Sequence, residues 1–156
     1  MQYISSKLPI YCKFANSYGE ADQTRQPRES KMIGYTSIGT NNLATSGAFY
    51  DVILGMMGAK RVMEMEDFIV WSRAEGEANF SIHLPFDGRR ATVGNGVMIA
   101  LQGKSKDEVD AVYSKAISVG AESEGEPGAR GGDDSGFYAA YFRDPDGNKI
   151  NIHYMS

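Results

Sequence analysis

From Met32 onward the apolar positions alternate between two periods, two residues and about 3.6. Ile33–Gly39 reads as a short strand. Leu43, Phe49, Val52, Ile53 and Met56 then recur at helical spacing, with Asn42 as N-cap and Gly55 as the stop. Val62–Met65, Phe68–Ser72 and Phe80–Leu84 read as strands separated by turn residues. The series then repeats. Gly96–Leu101 is a buried strand, and Ser105 with Glu108 forms a capping box in which the carboxylate reaches back over the helix start. Val109, Val112, Ala116 and Val119 make a helical stripe that Gly120 ends. A Gly-rich stretch from Gly125 to Gly136 precedes a closing pair of strands. The pattern predicts an α+β domain made of two β-α-β-β-β modules at a spacing of about 60 residues.

The closing pair is the most informative segment. Tyr138–Phe142 leads into Asp144-Pro145-Asp146-Gly147, where Pro145 presets the first inner turn position and Gly147 can take φ > 0. Ile150, Ile152 and Tyr154 then fall on one face, with Asn151 and His153 on the other. This ending resembles the last hairpin of the vicinal oxygen chelate superfamily, which includes glyoxalase I, bleomycin-resistance proteins and extradiol dioxygenases. Phe49-Tyr50…Leu54-Gly55 and Val93-Gly94-Asn95-Gly96 extend the resemblance over about residues 32–155. It implies paired modules forming a cupped, eight-stranded mixed sheet with the helices outside and a ligand inside. Module one would span about 32–93 and module two about 94–156.

Alternation divides the strands into two sets. Ile82, Leu84, Val97, Ile99, Leu101, Ile150 and Ile152 are suited to packing under helices. Tyr35, Ser37, Ser81, His83, Met98, Gln102, Asn151 and His153 form a mixed set, and inward polar groups of this kind point to a wet ligand pocket. The four positions that bind metal in glyoxalase I-like relatives, two imidazoles and two carboxylates, match Tyr35, His83, Met98 and Asn151 here. No carboxylate remains among them, and a thioether suits soft copper better than zinc, nickel or iron. The expectation is a pocket without a tightly bound metal and without a cofactor. His153 lies on the same face as His83 and offers an alternative two-histidine site.

Four residues carry competing readings. His83 and Tyr35 are candidates for acid–base work, against a hydrogen-bonded pocket histidine. Trp71 would stack a ligand or pack in the core. Arg130, in Gly-Ala-Arg-Gly-Gly, would clamp an anion or be a solvated loop arginine. The Gly-rich stretch is no phosphate loop, because no Gly-Lys-Ser/Thr follows.

Three function classes follow. One is a bleomycin-resistance-type protein that binds a small organic ligand without metal. Another is a glyoxalase-like lyase or isomerase, of the lactoylglutathione lyase type, using His83 and Tyr35 or a non-standard metal site. The third is a protein whose pocket is vestigial and whose role is association. Whether catalysis occurs, and on what, is not legible in the residues.

Composition narrows the partners. Sixteen basic against twenty acidic residues give a net charge of −4, which offers nucleic acid no attraction. No apolar run approaches the roughly 20 residues of a membrane span. The first residues lack the pattern of a signal peptide, and a lone Cys12 fits a reducing compartment, so a cytoplasmic location is expected. Residues 1–31 read as an arm and linker: Tyr3, Ile4, Leu8, Ile10, Tyr11 and Phe14 are apolar, and Gly19 to Lys31 is polar with Pro27. The arm would pack on its own domain or on a second chain. Relatives commonly pair, so a homodimer is expected.

Overall fold

The computed structural model describes residues 32–132 and 135–156, within the unit Lys31–Ser156. The N-terminal arm, its linker, Cys12 and any contribution of the arm to an interface lie outside the described residues. Among the described residues eight strands and two helices appear in the order β1 (Tyr35–Gly39), α1 (Leu43–Met56), β2 (Lys60–Glu64), β3 (Phe68–Ser72), β4 (Asn79–His83), β5 (Ile99–Gln102), α2 (Lys106–Ser118), β6 (Glu122–Arg130), β7 (Phe137–Arg143) and β8 (Lys149–Met155).

The strands form two four-stranded sheets, β1-β4-β3-β2 and β5-β8-β7-β6, each with one parallel pair (β1 with β4, β5 with β8) and otherwise antiparallel. The two modules therefore repeat one topology. Among the described residues the eight strands form two ladders rather than one, and a cavity of about 420 Å³ is lined by Thr36, Asn79 and Phe80 of the first sheet and by Ile99–Gln102 of the second.

Local boundaries follow from local chemistry. The Asn42 side chain accepts from the Thr45 amide, as its N-cap role requires. Helix α1 runs through Gly55, however, because the residue with a left-handed backbone is Gly58 (φ +84°). Similarly, β5 starts at Ile99 rather than Gly96, since Gly96 (φ +83°) belongs to a turn closed by the Val97 amide on the Gly94 carbonyl. The Ser105 oxygen accepts from the Glu108 amide at 3.1 Å, but the Glu108 carboxylate bonds the amide of Lys104, one residue earlier than a capping box places it. The Gly-rich stretch up to Arg130 is not a loop. It is strand β6, with register shifts near Gly125.

One core joins the modules. Ile38, Ile69, Trp71, Phe80 and Ile82 from the first sheet and Ala140, Phe142, Ile150 and Ile152 from the second enclose Phe49, Tyr50 and Ile53 of α1 and Val109, Val112 and Ala116 of α2. Phe49 and Phe142 meet edge-on across the modules at 6.3 Å. Leu84 and Val97 do not join them: they are 36% and 55% exposed, because each lies just outside its strand.

The β7–β8 turn supplies a second link. Gly147 takes φ +87°, and its amide bonds the Asp144 carbonyl. Asp144 accepts from the amides of Asp146 and Asn148 and, at 2.8 Å, from the hydroxyl of Tyr50 on α1. Asp146 accepts from the Thr40 and Ser46 hydroxyls at 2.5 and 2.7 Å and from the backbone amide and side chain of Asn41. Asn148 donates to the Gly39 carbonyl. A turn of module two thus clasps the end of β1 and the start of α1.

Candidate functional site

Strand register decides which side chains share a face. In the first sheet Ser37, Ser81 and Val70 are paired neighbours, as are Gly39, His83 and Phe68. In the second, Ala100, Asn151, Tyr141 and Gly125 form one row, and Gln102, His153, Ala139 and Gly128 the next. Ile38, Ile82 and Ile69 of the first sheet, and Ile99, Ile150 and Phe142 of the second, occupy the helix side. The mixed set of the sequence therefore lies on the faces opposite the helices.

Two polar pairs stand on these faces. Ser37 Oγ lies 2.8 Å from His83 Nδ1. Asn151 Oδ1 lies 3.1 Å from His153 Nδ1, and the Asn151 amide donates to the Ala140 carbonyl. These faces are less wet than the sequence suggests: Ser81 and Asn151 are each 1% exposed, with Ser81 donating to the Thr36 carbonyl. Phe137 packs against the His153 ring at 5.3 Å. Tyr35, at the start of β1, is 36% exposed, and Met98, just before β5, 42%. The Gln102 carbonyl accepts from Arg73, while its side chain is exposed.

Trp71 does not join this set. Its pairing with Phe80 turns it to the helix side, where it is 1% exposed, packs on Tyr50 at 5.9 Å and donates to Asp51. The register turns it toward the core, where it also lines the cavity of about 420 Å³. Arg130 ends β6 rather than lying in a loop, with its guanidinium bonded to the Glu126 and Ala129 carbonyls.

The family-type metal positions do not fit a divalent ion. Of Tyr35, His83, Met98 and Asn151, His83 is the single imidazole, Met98 offers a thioether, the carboxamide is committed to Ala140 and His153, and no carboxylate balances the charge. Among the described residues no group of three or more His, Cys, Asp or Glu side chains is gathered for metal binding. No step through a metal is derived from these residues.

Burial lowers the basicity of both imidazoles. Desolvation dominates at His83, opposed by the charge of Asp67 and a backbone bond to Ile38, and it acts alone at His153. Folded-state values below the unfolded value near 6.5 mean that the unfolded chain binds more protons as pH falls. Their contribution to stability is complete above that value and is lost as pH drops through the lower folded values. Urea midpoints should therefore decline between about pH 7.5 and about pH 5, and the decline should shrink in His83→Gln. An unchanged slope in that variant would refute the assignment.

Comparison with known proteins agrees with this architecture. Residues 32–152 match the family described as Glyoxalase/Bleomycin resistance protein/Dioxygenase superfamily. The chain is 31% identical to a glyoxalase/bleomycin resistance protein from Albidiferax ferrireducens T118, over 81% of this chain and 100% of that one, with a TM-score of 0.73. A glyoxalase-related enzyme from Fulvimarina pelagi (19% identity, 80% and 88% covered, TM-score 0.63) shares the fold. So does a lactoylglutathione lyase from Agrobacterium tumefaciens (18% identity, 81% and 95% covered, TM-score 0.59). No curated protein matches the chain significantly.

Proposed function

The chain belongs to the glyoxalase/bleomycin resistance protein/dioxygenase superfamily, and from that premise we propose that it binds a small organic ligand on the sheet faces opposite the helices without a tightly held metal ion. The observation that carries this reading is the commitment of Asn151: its carboxamide occupies the last family-type metal position but is spent on Ala140 and His153. Ser37, His83, Gln102, His153 and Tyr35 stand on these faces and would meet polar groups of the ligand.

Elemental analysis of the purified protein tests the metal half of the proposal. Zinc, nickel, iron and manganese should each fall well below one ion per chain, and added divalent metal should not bring turnover of methylglyoxal with glutathione. One tightly held ion per chain, lost in His83→Ala, would sink it.

A second reading is a metal-free lyase or isomerase. The Ser37–His83 pair favours it, since a hydrogen-bonded imidazole of lowered basicity suits a general base near neutral pH, with Tyr35 as its partner. Proton exchange into a carbon-acid substrate that disappears in His83→Ala would select this reading over simple binding.

The proposed setting is a cytoplasmic homodimer. No described helix is long and apolar enough to cross a membrane. β1 and β2 end the first sheet and β5 and β6 the second, and such edges are commonly covered by a second copy. Light scattering at micromolar concentration should give twice the chain mass, with an interface above roughly 1,000 Å² of total buried area. A monomeric mass would end the dimer proposal.

A further inference from the structure

Strand β6 is rich in glycine, and its backbone does not explain why. Neither Gly125 nor Gly128 has a positive φ, so an ordinary residue could adopt either conformation. What glycine supplies there is room. A Cβ on Gly128 would lie 2.8 Å from an Nη of Arg130, and one on Gly125 would lie 3.2 Å from the Tyr141 ring and 3.6 Å from the other Nη. The two glycines form a cradle in which the arginine side chain lies flat on the sheet.

The cradle aims the guanidinium. It bonds the Glu126 carbonyl at 2.6 Å and the Ala129 carbonyl at 3.1 Å, and it sits 5.6 Å from the centre of the Tyr141 ring. Carbonyl groups hold an arginine without cancelling its charge. Its cationic neighbours differ: Arg143 and Lys149 both pair with Glu124, at 2.7 and 2.9 Å. Among the described residues, Arg130 is therefore the cation of this cluster that is held by carbonyl groups rather than by a carboxylate. Gly125 and Gly128 end two cross-strand rows beside Arg130, whose own cross-strand partner is Phe137.

Resting on the proposal that these faces bind the ligand, we infer that the ligand is an anionic small molecule. Its carboxylate or phosphate is held by Arg130 beside the Tyr141 ring, over which Lys149 also lies at 5.6 Å and adds a second cation. The guanidinium fork matches either oxyanion. Gly125 and Gly128 are then positioning residues for Arg130.

An NMR titration of the full chain with benzoate and with phenyl phosphate, using uncharged benzamide as the isostere, tests this. Benzoate and phenyl phosphate should shift the signals of Gly125, Gly128 and Tyr141, and Arg130→Gln should weaken both by about tenfold or more, the loss of a charge-assisted bond. Gly128→Ala should do the same with Arg130 still present. The nearest atom to the new methyl group is the far end of a flexible side chain, so the strand is retained and an unchanged urea midpoint will verify it. Equal anion affinity in wild type and Arg130→Gln would overturn the role of Arg130. Binding of benzamide alone at this face would overturn the anionic class while leaving a ligand site there. If neither the charged nor the uncharged probes move these signals, both the inference and the site reading beneath it fail.

Discussion

Replacing Asp146 by alanine is expected to cost about 3 kcal/mol of folding stability, the upper end for bonds to a charged group whose partners stay buried. Its carboxylate holds the Thr40 and Ser46 hydroxyls, both on residues 1% exposed, together with the amide and side chain of Asn41. Without it, Thr40 and Ser46 can still bond each other at 2.8 Å, and Asn41 keeps the Ala91 carbonyl, but one buried hydroxyl and the Asn41 backbone amide lose their acceptor. Burial alone would raise the carboxyl pKa, but the bonds from Thr40, Ser46 and Asn41 outweigh it and hold the value below the usual range. The group therefore stabilises the fold fully above its unfolded value of about 4, and this contribution fades as pH falls through the lower folded value. Urea denaturation at neutral pH measures the loss. Asp146→Asn, which keeps one acceptor oxygen, should lose less. A cost below about 1 kcal/mol for the alanine variant would show that the clasp between modules is a surface decoration.

The second large effect belongs to Phe142. It is 0% exposed and meets Phe49 across the modules, so Phe142→Ala should cost about 3–5 kcal/mol through lost burial and the cavity left behind. The informative readout is the sole tryptophan, Trp71, which reports from module one although the substitution is in module two. If the modules share one core, the fluorescence transition of Trp71 should move to lower urea together with the far-UV signal of the whole chain. A Trp71 midpoint that stays in place while β7 and β8 unfold would mean two independent cores.

Much of the fold was legible in the residues. Period-two and period-3.6 patterns located both helices and most strands, because alternation and amphipathicity are consequences of which face is dry. Asn42 and Ser105 marked both helix starts, since an N-cap is a contact three residues long. The closing hairpin and its turn were readable for the same reason, and they carried the family resemblance. Boundaries failed where glycine has two uses. Gly55 looked like a stop but sits in the helix, and the Gly125–Arg130 stretch looked like a loop but is a strand. Composition cannot say whether a glycine supplies a backbone angle or an absent side chain.

The candidate site divides along the same line. Alternation placed Ser37, His83, Gln102, Asn151 and His153 on a common side of their strands, and the register bears this out. It could not show that Ser37 binds His83 or that Asn151 is turned to Ala140 and His153, because those bonds depend on χ angles and on which strands are neighbours. Trp71 looked equally suited to a ligand or a core until its pairing with Phe80 fixed the face. The aspartates of the β7–β8 turn are the clearest case. From the chain alone Asp144 and Asp146 are turn-formers, and so they are, within four residues of one another. Their partners Tyr50, Thr40 and Ser46 lie about a hundred positions away, at separations of 94, 106 and 100. Local sequence determines contacts whose partners are a few bonds apart. Which distant donors meet a carboxylate is settled only when burial of two apolar faces in one core brings the modules together.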